Sequence, residues 1–275
     1  MRLPAIVLVS LIAAALAAPL VAPYAPDHLD LSIRRQAPSA THWFGTDELG
    51  RDVLARVLYG ARVSLAVGLL SAAVAGASGV AIGGIAGYAG GAVDTALMRA
   101  TDGVLAVPRL PLLMIVAVVL QPAVPLLVVL IGLAGWMETA RVVRAEFKTL
   151  RGRRFVESAR AAGAGHLRVL ARHLLPNAAQ TVAVSLTLAV ARGILLESAL
   201  SFFGVGVRPP QASWGNMLYQ AQATLATEPW LALAPGAFIL MTTASVNLAG
   251  DRLAAGADSA RSRAEHAPPF RDAAR

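Results

Sequence analysis

Six apolar stretches, each near or above the length that crosses a bilayer, constrain this chain more than any other feature. A spanning α-helix needs about 20 mostly apolar residues, because the hydrocarbon core of a membrane is about 30 Å thick. The stretches cover residues 3–21, 63–88, 104–120, 124–143, 178–207 and 230–249. The chain is 56% hydrophobic and only 15% charged, which is too apolar for a typical soluble domain. The sequence therefore predicts an all-α integral membrane protein with six transmembrane helices.

The positions of Lys and Arg predict how these helices are oriented. Residues 141–176 contain eight Arg and one Lys against two Glu, so this loop holds +7 of the formal net charge of +8. Cytoplasmic loops carry such an excess. A position between two spanning helices favours this interpretation over a nucleic-acid or anionic-lipid patch. The loop and both termini are therefore predicted to be cytoplasmic, and residues 22–62 and 208–229 are predicted to lie outside.

These spans divide the chain into four parts. Residues 1–22 are predicted to be an N-terminal transmembrane anchor helix, although a charged start, an apolar run and the small residues 13–18 also fit a cleavable secretory signal. Residues 23–62 form an extracytoplasmic segment with an amphipathic helix. Residues 63–250 form the transmembrane domain, with a cytoplasmic loop at 146–177. Residues 251–275 form a cytoplasmic tail that is polar enough to be disordered.

Acidic residues in the outer segment allow two interpretations. We expect Asp47 to cap a short helix beginning at Glu48. The apolar side of this helix, against the membrane surface, would consist of Leu49, Val53 and Val57. The alternative is a cation site built from His42, Asp47, Glu48 and Asp52.

The predicted cytoplasmic loop reads as two short helices joined by a turn. The first helix covers 153–162 and stops at Gly163, with one apolar face formed by Phe155, Ala159 and Ala162. The second begins near His166 and is expected to end before Pro176, with an apolar stripe of Leu167, Leu170, Ala171 and Leu174. These faces either cover the cytoplasmic end of the helix bundle or dock into a groove on a soluble subunit.

The same loop resembles the "EAA" coupling motif of permease subunits in binding-protein-dependent ABC importers. Glu157-Ser158-Ala159, Gly163 and Leu175-Pro176 match the motif, with Ser158 in place of an Ala and His173 where Ile is usual. Residues 42–63, 87–108 and 197–217 are similar, in the same order, to segments of the dipeptide, oligopeptide and nickel branch. They resemble the second of the two permeases in such transporters. The chain departs from this pattern after Gly250-Asp251.

This resemblance implies a type I ABC importer permease (MetI-like) fold and import of peptides, nickel or another small solute by alternating access across the bacterial cytoplasmic (inner) membrane. It implies a second permease subunit, two ATPase subunits and an extracytoplasmic solute-binding protein as partners. ATP and Mg are expected on the ATPase subunits, with no cofactor on this chain. The residues that the resemblance assigns to ATPase coupling are Phe155, Glu157, Ser158, Ala159, Gly163, Leu167, Leu175 and Pro176.

Catalytic and metal chemistry find little support in the sequence. The chain has no Cys, and its five His residues lack the spacing of a metal site. Its one lysine, Lys148, follows Ala-Glu-Phe rather than the glycine-rich sequence that cradles phosphate. We therefore expect a protein that is not an enzyme, that contacts membrane lipid and that binds no nucleic acid.

Two rival functions belong to other classes. An ion-gradient-driven secondary transporter predicts inverted repeats with broken helices, and the two halves of this sequence show no convincing repeat. A membrane scaffold that transports nothing is the second rival. Neither accounts for the three matching segments.

Charged residues inside the fifth stretch are expected to have a specific role. A charge at the bilayer centre costs roughly 2.5–3.5 kcal/mol on insertion scales. Arg192 and Glu197 lie roughly 140° apart around a helix and are poorly placed to pair. They are therefore expected either to line the transport pathway or, for Arg192, to pair with another helix through a residue such as Glu138. The repeat of Gly79, Gly83 and Gly87 predicts close helix packing.

Overall fold

Helices make up the regular secondary structure of the computed structural model, which describes residues 2–265. Apart from an isolated bridge between Thr46 and Asp52, no strand occurs in this range, and the predicted all-α class is confirmed. The α-helices are α1 (Arg2–Leu16), α2 (Ala18–Val21), α3 (Val53–Ala89), α4 (Gly91–Leu105), α5 (Arg109–Leu120), α6 (Val124–Leu133), α7 (Trp136–Leu150), α8 (Arg154–Ala161), α9 (His166–Arg168), α10 (Leu175–Asn177), α11 (Ala179–Phe202), α12 (Trp214–Ala221) and α13 (Trp230–Glu265).

Three helices in the described part of the chain are long and apolar enough to cross a membrane alone. They are Val53–Ala89, Ala179–Phe202 and the Trp230–Gly256 part of α13. Two bent pairs meet the same criterion together, α4 with α5 at 75° and α6 with α7 at 43°, which gives up to five spans. The apolar part of α1, Pro4–Leu16, is shorter. The five possible spans together with α1 are compatible with six transmembrane helices, and the count of six stays a prediction.

Both bends coincide with a break in the helical hydrogen-bond ladder. Pro108 directly precedes α5, and a proline has no N–H to extend the hydrogen-bond ladder of α4. At the second bend the N–H of Gly135 donates to the carbonyl of Gly132, 3.0 Å away, in a turn. The sequence predicted one helix over 104–120 and another over 124–143. The structure breaks both stretches and places the start of the first bent pair earlier, at Gly91.

Helix α3 lies at the centre of the fold, with α6, α7 and α11 packed around it. The glycine repeat allows α7 to approach closely, as predicted. A Cβ on Gly79 would lie 2.7 Å from the carbonyl oxygen of Trp136, and one on Gly87 would lie 2.6 Å from that of Arg144. Since real Cβ atoms do not approach backbone this closely, any side chain at these positions would push the two helices apart.

The last helix is longer than the sequence predicted. Residues 251–275 were expected to be disordered, but α13 continues through Glu265, and this part of the prediction is wrong. Residues 251–265 are rich in Ala and Arg, which favour helix. Residues 266–275 of the predicted tail lie outside the described residues.

The predicted helix at Glu48 is also wrong. Asp47 instead closes a turn, in which its Oδ1 accepts hydrogen bonds from the N–H groups of Leu49 (2.9 Å) and Arg51 (3.0 Å). Gly50 makes this turn possible with a φ of +72°. The helix begins at Val53, and Asp52 caps it by accepting from the N–H of Ala55 at 2.7 Å. The helix begins here and not at Glu48 because Val53 and Val57 are fully buried against the bundle, whereas the prediction had them facing the membrane surface.

The side chains of the alternative cation site have separate partners. Nδ1 of His42 lies 2.9 Å from Oδ2 of Asp52, and the guanidinium of Arg51 donates to Asp47 at 2.7 Å. Glu48 is exposed. Among residues 2–265, no group of three or more His, Asp or Glu side chains is arranged to hold a metal ion.

Candidate functional site

The turn of the predicted coupling loop is a glycine-dependent helix end. Gly163 follows α8 with a φ of +81°. The N–H of Ala164 donates to the carbonyl of Ala159 (3.0 Å), and the N–H of Gly163 donates to that of Arg160 (2.9 Å). These two bonds form a Schellman motif, in which a left-handed residue ends the helix and satisfies its last carbonyls. The turn that the sequence predicted at Gly163 is therefore set by local backbone chemistry.

One side of the loop is packed against the helix bundle. Val156 of α8 and Val169 just after α9 are fully buried, and they share a cluster with Val143 and Phe147 of α7. Leu174, Ala178 and Tyr88 belong to the same cluster. Val156 and Val169 were not selected from the sequence, because each lies next to a residue of the predicted apolar stripes. A preference for β-branched residues in the interior would have been the only available signal.

The opposite side of the loop is uncovered. None of the eight predicted coupling residues is buried. Leu167 is 79% exposed, and Phe155 and Leu175 are each 37% exposed. The bundle is covered by Val156, Val169 and Leu174, while the apolar side chains of Phe155 and Leu167 are exposed. Docking of these exposed side chains onto a soluble subunit stays a prediction.

The sequence predicted that the second helix of the loop ends before Pro176, but in the structure the helical path continues past this residue. After α9 the chain continues as a π-helical segment, Val169–Leu174, and then as α10. Pro176 lies in the first turn of α10, where a missing N–H does not interrupt a hydrogen-bond ladder. The N–H of Ala178 donates to the carbonyl of Leu174 at 2.9 Å. A near-continuous helical path therefore joins the loop to α11.

Tyr88 connects the end of α3 with the turn of the loop. Its hydroxyl lies 2.8 Å from Nδ1 of His166, the first residue of α9. The guanidinium of Arg160 in α8 lies 5.0 Å from the centre of the Tyr88 ring, within the range of a cation–π interaction. One aromatic side chain thus contacts both helices that flank Gly163. Tyr88 was not selected from the sequence, because it lies far from the loop along the chain.

Ion pairs fix the start of the basic region to α4. Arg144 on α7 pairs with Asp94, and Arg141 pairs with Asp102. These two arginines therefore tie helices together within the chain. The other basic residues of the loop include exposed Arg153, Arg154 and Arg168.

Glu138 lies between two arginines at the level of the helix bends. One of its carboxylate oxygens accepts a hydrogen bond from Nη2 of Arg109 at 3.0 Å, and the other pairs with Nη1 of Arg192. The structure thus provides the partner on another helix that the sequence allowed for Arg192. Each of the three side chains keeps between 23% and 39% of its surface exposed.

Glu197 lies in a different environment. It is fully buried and accepts hydrogen bonds from the hydroxyls of Ser64 (2.9 Å) and Ser201 (2.8 Å). The Ser64 hydroxyl in turn accepts from the backbone N–H of Trp214 at 3.2 Å. This network joins α3, α11 and α12 around a carboxylate that solvent does not reach in this conformation. Ser64 and Trp214 were not selected from the sequence, since they are far from Glu197 along the chain.

Comparison with known proteins places these features in context. Residues 79–261 match the family described as "Binding-protein-dependent transport system inner membrane component". A putative peptide permease protein of Brucella suis biovar 1 is 41% identical over 250 residues, which cover 90% of this chain and 83% of the relative. Two Bacillus subtilis proteins are each 36% identical over 248 residues and 90% of this chain. They are the oligopeptide transport system permease protein OppC, covered over 81% of its length, and the dipeptide transport system permease protein DppC, covered over 78%.

Proposed function

The chain belongs to the family of binding-protein-dependent transport system inner membrane components, and we propose that it is a permease subunit through which peptides cross the inner membrane. The names of the relatives support peptides as the substrate class, because a putative peptide permease and oligopeptide and dipeptide permeases match over nine-tenths of this chain. Nickel and other small solutes, which the sequence resemblance left open, have no such support among these relatives.

The uncovered side of the loop around Gly163 is the observation that carries the mechanism. Leu167 and Phe155 expose apolar surface that a partner would bury. Behind them, Val156 and Val169 are packed against α7, and α10 leads directly into α11. A movement imposed on this surface would therefore reach two membrane helices as a rigid displacement. This is how ATP-driven closure of two partner ATPase subunits would switch the permease between outward and inward access.

The remaining partners follow from the same assignment. A second permease subunit would complete the pathway, and an extracytoplasmic solute-binding protein would deliver peptide to the outer side. ATP and Mg would bind to the ATPase subunits, so this chain would hydrolyse nothing itself. The basic loop would lie in the cytoplasm with both termini, in agreement with the distribution of Lys and Arg.

One structural observation favours the rival class of secondary transporter. The two bent pairs, α4 with α5 and α6 with α7, are broken helices of the kind used by ion-coupled transporters. Family membership supports the ATP-driven importer instead, and the exposed apolar side chains of the loop offer a surface that a soluble subunit would bury.

The test is ATP-dependent uptake by the complete transporter in proteoliposomes. We expect uptake of radiolabelled trialanine that requires ATP and the binding protein and persists when ionophores collapse ion gradients. The Glu157→Arg variant, which places a cation on the exposed loop, should insert normally but lose both uptake and co-purification of the ATPase subunits. Uptake without ATP that follows an ion gradient would overturn the proposal, as would normal ATPase binding by this variant.

A further inference from the structure

The cluster of Arg109, Glu138 and Arg192 has an excess of positive charge. Two guanidinium groups share one carboxylate, and among residues 2–265 no other acidic side chain pairs with either arginine. Each guanidinium has five N–H donors, and the bonds to Glu138 involve one Nη atom of each. The cluster therefore has unused donors and a net charge of about +1 within the helical bundle, where an uncompensated charge is unfavourable.

This cluster lies at membrane depth. Arg192 is near the middle of the 24-residue α11. Arg109 is the first residue of α5, at the 75° bend with α4, and Glu138 is in the first turn of α7, just after the 43° bend. The N-terminus of α5 has no side-chain cap, so its first N–H groups add to the positive potential of the two arginines.

A cavity makes the cluster accessible to a ligand. A recess of about 340 Å³ lies beside Arg109 and Glu138. The rest of its lining is mainly apolar and includes Val104, Leu105, Leu110 and Leu196. A second, water-sized pocket of about 20 Å³ touches both Arg109 and Arg192. An anionic group with an apolar neighbour would therefore find Arg109 at one end of the recess and apolar side chains along the rest of it. Arg192 would be reached through the small pocket that it shares with Arg109 and through its pairing with Glu138.

We infer that Arg109 and Arg192 form a binding site for the terminal carboxylate of a peptide in transit, with Glu138 holding the two guanidiniums in place until that carboxylate arrives. The inference rests on the proposed peptide transport and specifies how this chain would recognise the substrate. Every unmodified peptide has a terminal carboxylate, so the site would act on peptides of different sequence. The apolar lining makes no hydrogen bonds that would select among side chains, and a second carboxylate would neutralise the excess charge.

The absence of cysteine from the chain allows a direct test. In the Val104→Cys variant, a single thiol lines the recess. Its rate of modification would be measured in the detergent-solubilised transporter with two methanethiosulfonate reagents of similar size, one sulfonated and one carrying an ammonium group. We expect the anionic reagent to react about tenfold faster, after correction for its rate with free thiol. The attraction between one pair of opposite charges inside the recess is large enough to produce a tenfold difference. The preference should disappear when Arg109→Gln and Arg192→Gln are combined.

Peptide protection tests the ligand itself. Millimolar trialanine should slow modification of the thiol, whereas trialanine amide, which lacks the carboxylate, should not. The paired Arg109→Lys and Arg192→Lys changes should retain the anion preference, because they keep the charge. The Glu138→Gln variant should increase this preference by removing the competing carboxylate. In the Leu225→Cys variant, whose side chain is exposed outside these helices, modification should not respond to either peptide.

Two results would overturn the inference while leaving the proposed function intact. One is equal protection by trialanine and its amide in a transporter that imports trialanine with ATP. The other is a thiol at position 104 that neither reagent modifies. A transporter that imports no peptide at all would instead contradict the proposed function.

Discussion

Tyr88 is the second-last residue of α3, and its hydroxyl lies 2.8 Å from Nδ1 of His166, the first residue of α9. Arg160 of α8 covers the ring of the same tyrosine. Tyr88 therefore joins the central membrane helix to both sides of the Gly163 turn. We regard it as a residue that positions the proposed coupling loop.

The Tyr88→Phe substitution should weaken the coupling between ATP hydrolysis and transport. It removes one hydrogen bond, a loss of about 1 kcal/mol, and retains the ring that packs in the buried cluster with Val156. We expect fewer peptides imported per ATP hydrolysed, with a melting temperature lower by only about 2–4 °C. The ratio would be measured in proteoliposomes, with Tyr59→Phe as the control on the other end of α3. An unchanged ratio would show that the contact has no role in coupling.

The turn provides a matched pair of glycines. Gly163 and Gly165 both have open space where a Cβ would lie, but Gly163 has a φ of +81° and Gly165 a φ of −67°. The Gly163→Ala change should therefore cost about 1–2 kcal/mol, because the left-handed conformation is strained for a side chain. The Gly165→Ala change should cost little. Thermal unfolding of the purified permease would compare the two variants, and equal melting temperatures would contradict the assigned turn.

The exposed leucine of the loop should matter for assembly and not for folding. Leu167 is 79% exposed, so the Leu167→Ser change removes little packing within the chain. Burial of a leucine against a partner contributes about 1.5–3 kcal/mol, and its loss should weaken ATPase binding at least about tenfold. Co-purification of ATPase at limiting concentration would measure this effect. The control is Leu225→Ser, another exposed leucine outside the loop, for which ATPase binding should be normal.

The sequence predicted features that depend on local chemistry. The turn at Gly163 follows from helix-forming residues ending at a glycine, and the close packing of α3 on α7 follows from glycines spaced by four. Apolar length and the absence of charge were enough to predict a helical membrane protein. These properties are determined within a few helical turns of one segment.

Features that depend on distant contacts were missed or misassigned. Asp47 and Asp52 are both reasonable helix caps in sequence, and the choice of Asp52 follows from the burial of Val53 against other helices. Val156 was overlooked because neighbouring Phe155 is larger and more apolar, yet the bundle covers the valine. The hydrogen bond between Ser64 and Glu197 joins residues 133 positions apart, and no periodicity within one helix predicts it.

This buried network supports a prediction about two serines of α3. Ser64 and Ser71 are both buried, but the Ser71 hydroxyl donates only to the carbonyl of Gly68 in its own helix, at 3.1 Å. The Ser64→Ala change leaves one carboxylate oxygen of Glu197 and the N–H of Trp214 without this partner. Each buried polar group that loses its hydrogen bond costs about 1–3 kcal/mol, so we expect a clear fall in melting temperature. The Ser71→Ala change should lower it much less, because the carbonyl of Gly68 remains within the helical ladder. Thermal unfolding in the same detergent would compare the two variants. Equal destabilisation would mean that Glu197 does not hold α3, α11 and α12 together as the structure indicates.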